Sequence, residues 1–138
     1  MVRAGDRFAE GFEITPELHS GFIALFGDRH PLHTDLDYAK SLGFKSVVVH
    51  GNILCGFLSY FVGESFPEPD VIILNQNVKF PRPVYLNDRL RLDVEVLDVH
   101  DSVDVVEIEC KFSNEAGELV ASARMNIGMI GSRRSQAT

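Results

Sequence analysis

From residue 71 onward the chain places apolar residues at every second position, and this period restricts the fold more than any other feature. LRLDVEV puts Leu90, Leu92, Val94 and Val96 on one face. VEIECKF sets Val106, Ile108, Cys110 and Phe112 against Glu107, Glu109 and Lys111. LVASARMNIGM continues the pattern through Leu119, Ala121, Ala123, Met125, Ile127 and Met129. SNEAGE, between the last two, reads as a hairpin loop with Gly117 available for positive φ. Strands with one polar face imply an antiparallel sheet covered on one side only.

The natural cover is HGNILCGFLSYFVG, which is apolar on nearly every side over residues 51–63. A helix of that composition is wrapped by the rest of its fold. It belongs to the longest run without Asp, Glu, Lys or Arg, Ser46 to Gly63. That run includes His50, Asn52, Ser59 and three glycines, and it ends short of the roughly 20 apolar residues a bilayer span requires. The expected architecture is therefore α+β: a long helix wrapped by an antiparallel sheet, the hot-dog arrangement. Residues 1–131 are expected to form this single domain, with 132–138 a disordered tail.

Ahead of the helix, residues 6–14 suit a short strand. Thr15 suits an N-cap and Pro16 the first helical position. Ile14, Leu18, Phe22 and Leu25 then share one helical face, and the helix should stop near Gly27. DRHPLH follows as a loop, with His30 held extended by Pro31. Thr34 is placed to cap a further short helix, with Asp37 at its third position.

The formal net charge of -7 argues against a nucleic-acid partner. The opening MVRAGDRFAE has no apolar core of a secretory signal, and none is expected. Cys55 and Cys110 fall in apolar patterns, without metal-type spacing, and read as reduced core residues of a cytoplasmic protein.

FGDRHPLHTD places one carboxylate and two imidazoles within six residues, Asp28 to His33. Three readings arise. His30, His33 and Asp35 could ligate a metal, although zinc sites draw on rigid, spaced elements and Pro31 prevents one continuous helical face. Asp28 and His33 could share a water across the loop and move its proton, since imidazole titrates near neutral pH. Or Asp28 caps a turn and His33 is a satisfied, half-buried side chain. His50-Gly51 stands at the head of the apolar helix, where unpaired N–H groups could receive an oxyanion. Gly51 could equally serve close packing, with Asn52 as the cap.

FGDRHPLHTDLDYAKSLGFKSVVVHGNIL, followed by VKFPRPVYLNDRLRLDVEV, resembles the signature of the MaoC-like dehydratases, the (R)-specific enoyl-CoA hydratase group. The likeness covers about residues 15–130. It implies a hot-dog hydratase that adds water to trans-2-enoyl thioesters of CoA or acyl carrier protein, and reverses that reaction, without metal or other cofactor. It implies Asp28 and His33 as the catalytic pair and Gly51 as the amide that receives the thioester oxygen. Ser59, His30, Asn52 and His50 are the candidate supporting residues. Arg29, Lys45, Lys79 and Arg82 are the cations available to CoA phosphates. The sequence departs from the family pattern at His30, where the family has Asn, at Asn52, where it has an apolar residue, and at Asn87, where it has Gly. Asn tolerates the left-handed conformation that such a turn needs.

The rival readings are a hot-dog thioesterase and a non-catalytic acyl-binding subunit. The uncovered flank of the central helix and the open sheet edge imply a homodimer or a larger even assembly. No nucleic-acid or membrane partner is expected.

Overall fold

The structure, a computed structural model, describes residues 1–131. The expectation for 132–138 lies outside the described residues.

One five-stranded antiparallel sheet carries the molecule. Its strands are β1 (Arg7–Glu13), β2 (Val71–Lys79), β3 (Arg89–His100), β4 (Val105–Ser113) and β5 (Leu119–Met129). Their spatial order is β1-β3-β4-β5-β2. The period-two faces meet in register: Leu92 opposes Phe112, Val94 opposes Cys110, and Cys110 opposes Ala123. All five are buried against the helical layer. A register shift beside Phe112 brings Val120 into the core as well as Ala121, which strict alternation from Leu119 does not anticipate.

The helical layer holds α1 (Pro16–Phe26), α2 (Pro31–Thr34), α3 (Leu36–Ser41) and α4 (Asn52–Tyr60). The central helix is shorter and less enclosed than its composition suggests. Ile53, Leu54 and Leu58 of α4 are buried, but Tyr60 is 50% exposed. After Tyr60 the helix widens into a π turn, Phe61–Ser65, closed by Phe66 N–H on the Phe61 carbonyl at 2.8 Å. Phe61, Val62 and Phe66 remain in the core, so the wider turn keeps these apolar side chains on the sheet.

Three expectations about the N-terminal half need correction. Pro31–Thr34 is not loop but a single helical turn, because Pro31 occupies the first helical position and His30 caps it. The cap of α3 is Asp35, not Thr34: its carboxylate accepts the Tyr38 N–H at 3.2 Å. Thr34 ends α2, and its hydroxyl donates back to the Arg29 and His30 carbonyls. Leu25 is 80% exposed, so the apolar face expected of α1 is left uncovered in its last turn. Thr15 caps α1 as the sequence suggests, and Asn87 adopts φ 68 in the turn before β3.

β2 is an edge strand, and Ile72 and Leu74 on it are each 48% exposed. Among the described residues, no helix is long and apolar enough to cross a membrane.

Candidate active site

Gly27 ends α1 with φ 77 and donates its N–H to the Ile23 carbonyl at 2.8 Å, turning the chain out of the helix just before Asp28. A chain of side-chain caps then shapes the loop. Asp28 Oδ1 accepts the His30 N–H at 3.2 Å, and His30 Nδ1 accepts the Leu32 N–H at 3.1 Å. The His33 N–H donates to the His30 carbonyl at 2.8 Å. These bonds place Asp28 and His33 on either side of a tight bend.

His33 Nδ1 lies 2.6 Å from the Val48 carbonyl. A carbonyl only accepts, so Nδ1 carries the proton and Nε2 keeps its lone pair. That bare Nε2 is 3.9 Å from Asp28 Oδ2. The gap exceeds a direct hydrogen bond and suits a water touching both groups. Asp28 is half exposed, while the His33 side chain keeps only 16% of its surface open.

His50 supports both residues from below. Its Nε2 donates to the Asp28 carbonyl at 3.0 Å and lies 3.7 Å from Asp28 Oδ2. Its ring stacks on His33 with centroids 3.8 Å apart and planes 23° apart, and it rests on Phe22 at 4.5 Å. His50 is the one charged or polar residue in the core of the described chain, and its Nδ1 is buried without a partner. Burial pushes its imidazole below its ordinary value, so the ring is held neutral. Asp28 is lowered as well, but from a different cause: the His30 N–H, aided by the His33, His50 and His30 imidazoles, keeps its carboxyl below the usual range.

His19 was not singled out by sequence reasoning. From α1 its Nε2 donates to the His33 carbonyl at 2.9 Å, and its ring lies 5.5 Å from that of His50. The signal was a histidine between Leu18 and Phe22, beside the apolar stripe of an otherwise ordinary amphipathic helix.

Two open spaces meet here. His33 and Gly51 open on a cavity of about 480 Å³ walled by Phe44, Val48, Phe80 and Arg82. Asp28 opens on an apolar groove of about 810 Å³ between Phe22, Leu25, Phe26 and Phe57. Asn52, the first residue of α4, borders both and makes no cap bond; Gly51 occupies the cap position. A Cβ on Gly51 would lie 3.0 Å from Phe80 Cε1, so the glycine lets the Phe80 ring close over the head of α4.

The other candidates fall as follows. Ser59 is exposed on α4, seven residues and about 10 Å of helix beyond Asn52, and borders neither space. Arg82 borders the His33 cavity, but its guanidinium is engaged by the Leu119 carbonyl at 2.9 Å and by Glu118 at 3.5 Å. Lys45 lies 4.6 Å above the Tyr85 ring, in an adjoining hollow that Arg82 also lines. Lys79 faces a separate hollow with Glu109 and Arg124, and Arg29 borders neither of the two main spaces.

The trio His30, His33 and Asp35 does not converge. His30 Nδ1 is committed to Leu32 and an Asp35 oxygen to Tyr38. The titratable groups that do converge are Asp28, His33 and His50, with ligand-capable atoms all within 4.8 Å of one another. His50 Nε2 spends its proton on a carbonyl, and stacked rings present parallel edges rather than lone pairs aimed at one point. This geometry suits a water and a mobile proton better than a metal ion.

Comparison with known proteins finds relatives over most of the chain. Residues 4–116 match the MaoC like domain family. The (R)-specific enoyl-CoA hydratase of Aeromonas caviae is 28% identical over 103 residues, 75% of this chain and 77% of that one. The (R)-specific enoyl-CoA hydratase of Rhodospirillum rubrum is 37% identical over 75 residues, 54% of this chain but only about half (52%) of its own length. Among solved structures, the unliganded R-hydratase PhaJ1 of Pseudomonas aeruginosa superposes with a TM-score of 0.84 at 30% identity, covering 93% of this chain and 82% of that one.

Proposed function

The chain belongs to the MaoC-like domain family, and from that premise we propose that it is a hydro-lyase that interconverts trans-2-enoyl thioesters and (R)-3-hydroxyacyl thioesters. The substrate is a thioester of CoA or of acyl carrier protein, as the names of its relatives suggest. The observation that carries this reading is the bare His33 Nε2 held 3.9 Å from the Asp28 carboxylate, next to the Gly51 end of α4.

In hydration, a water sits between Asp28 and His33. His33 Nε2 takes one of its protons while the oxygen bonds to C3. The C2–C3 π electrons shift through C2 toward the thioester oxygen. That oxygen lies at the head of α4, where the Gly51 N–H and the helix dipole stabilise its charge. A proton from the Asp28/His33 pair then bonds to C2 on the same face, and the carbonyl reforms. Dehydration runs the same steps backward. Neither direction requires a metal or a redox cofactor.

The apolar groove beside Asp28 suits the acyl chain, and the cavity beyond His33, with Arg82 and Lys45 near its mouth, suits the phosphopantetheine arm. The open β2 edge supports a homodimer in which a two-fold axis joins the two sheets. The free Cys55 and Cys110 fit a reducing, cytoplasmic setting. Incubation with crotonyl-CoA tests the activity. Loss of the conjugated enoyl absorbance without thiol release supports the hydratase. Release of free CoA thiol would make the protein a thioesterase instead.

A further inference from the structure

His30 stands where the family pattern places Asn, yet it does what that Asn could do. Its Nδ1 accepts the Leu32 N–H at 3.1 Å and so caps α2, the single turn that carries His33. Unlike an amide oxygen, Nδ1 accepts only while it has no proton. We propose that His30 is a positioning residue whose neutral Nε2–H tautomer holds His33 in place, so that one proton taken up by His30 releases the catalytic turn.

The local geometry supplies no substitute for the lost cap. α2 has only four residues, and Pro31 at its start brings no N–H. On protonation, Nδ1–H would point at the Leu32 N–H, two donors facing one another, and the ring must turn away. Its backbone is bound as well: the His30 N–H is on Asp28 Oδ1, and its carbonyl accepts from the His33 N–H. Movement at His30 therefore reaches both members of the pair. The groups that face the ring are Asp28 from the loop, His33 from α2 at 6.1 Å and Tyr38 from α3 at 5.9 Å; Arg29 precedes it in the chain.

This inference rests on the reading of His33 as a proton-transfer group, and one of its two tests does not. In the free protein, side-chain nitrogen NMR should find His30 at neutral pH with its proton on Nε2. On acidification the Leu32 amide signal should move with the same midpoint as the His30 ring. In His30→Asn that signal should stay still. A His30 proton on Nδ1 at neutral pH, or a stationary Leu32 amide while His30 titrates, overturns the proposal whatever the protein's activity.

The second test is kinetic. On acidification, log(kcat/KM) of the wild type should fall about one log unit further than a single-proton curve, the extra step following the His30 midpoint, while His30→Asn should follow a single-proton curve. His30→Asn should otherwise keep near-normal kcat. His30→Ala should lower kcat about tenfold with little change in KM, as expected for loss of a helix cap. Acid limbs of identical shape in wild type and His30→Asn, with no extra step, would contradict the proposal. If no enoyl thioester is turned over, the functional reading fails while the NMR result still decides the cap.

Discussion

The imidazoles of His33 and His50 stack face to face, centroids 3.8 Å apart, one ring opening on a cavity and the other 3% exposed in the core. The proposed catalytic ring therefore rests on a buried ring whose proton affinity burial lowers and whose Nε2–H is spent on the Asp28 carbonyl. The same buried ring ties to the Asp28 carbonyl, so both catalytic groups share one support.

That support sets a pH dependence. Burial lowers the His50 value below its ordinary 6.5, so the folded state binds this proton less readily than the unfolded chain. Above that ordinary value both states are neutral and the contribution to stability is complete. As pH falls below it, the unfolded chain takes up the proton first and stability declines toward the lowered folded value. Urea midpoints measured from neutral to mildly acidic pH should show this fall in the wild type and a shallower one in His50→Asn. An equal slope in both proteins would remove His50 from the explanation.

Asp28→Asn and His33→Ala should each reduce kcat by about 10²–10⁴-fold, the usual range for a positioned acid or base. Because the two act on one water, the double variant should be little worse than the poorer single. Circular dichroism identical to wild type makes the comparison valid. Near-normal turnover in both folded single variants would refute the mechanism.

How much of this was legible in the sequence depends on which force decides each feature. The sheet was legible because burial of one face imposes a period of two, as in Val106, Ile108, Cys110 and Phe112. The start of α1 was legible because its cap is local: Thr15 and Leu18 are three residues apart. The turn at Pro31–Thr34 was missed because a histidine cap is unusual and competes with the stronger signal at Thr34. His50 was legible as a candidate support at the head of the apolar helix, but not its partners, and His19 was not legible at all. Both act through contacts, His50 on Asp28 and His19 on the His33 carbonyl, that bridge 22 and 14 residues and that no local pattern announces. Asp28 and His33 drew attention as a close pair, but the bare Nε2 depends on Val48, fifteen residues away.

Gly51→Ala should damage catalysis more than stability. The new Cβ would meet the Phe80 ring at 3.0–3.2 Å, and Phe80 is 46% exposed and can swing away. The displaced ring and crowded amide should cost roughly 10- to 100-fold in kcat/KM, below the 10²–10³-fold typical of losing an oxyanion donor outright. Melting temperature should change by only a few degrees. Unaltered kinetics would mean that the thioester oxygen does not sit at this amide.

Assembly should follow the open edge of the sheet. Light scattering at micromolar concentration should give twice the 15.4 kDa chain mass or a larger even multiple. Ile72→Lys or Leu74→Lys should shift the population toward monomer, since both side chains are half exposed on β2. Activity should fall in parallel if the partner walls the groove beside Asp28. A fully active monomer of 15.4 kDa would contradict both statements.

The central claim is that one water held by Asp28 and His33 supplies both the hydroxyl at C3 and, through the pair, the hydrogen at C2. Hydration of crotonyl-CoA in deuterium oxide, followed by stereochemical analysis of the 3-hydroxybutyryl product, tests it most directly. The product should be the (R) alcohol at C3 with deuterium at C2 on the same face as the new hydroxyl. The (S) alcohol, or deuterium on the opposite face, would contradict it.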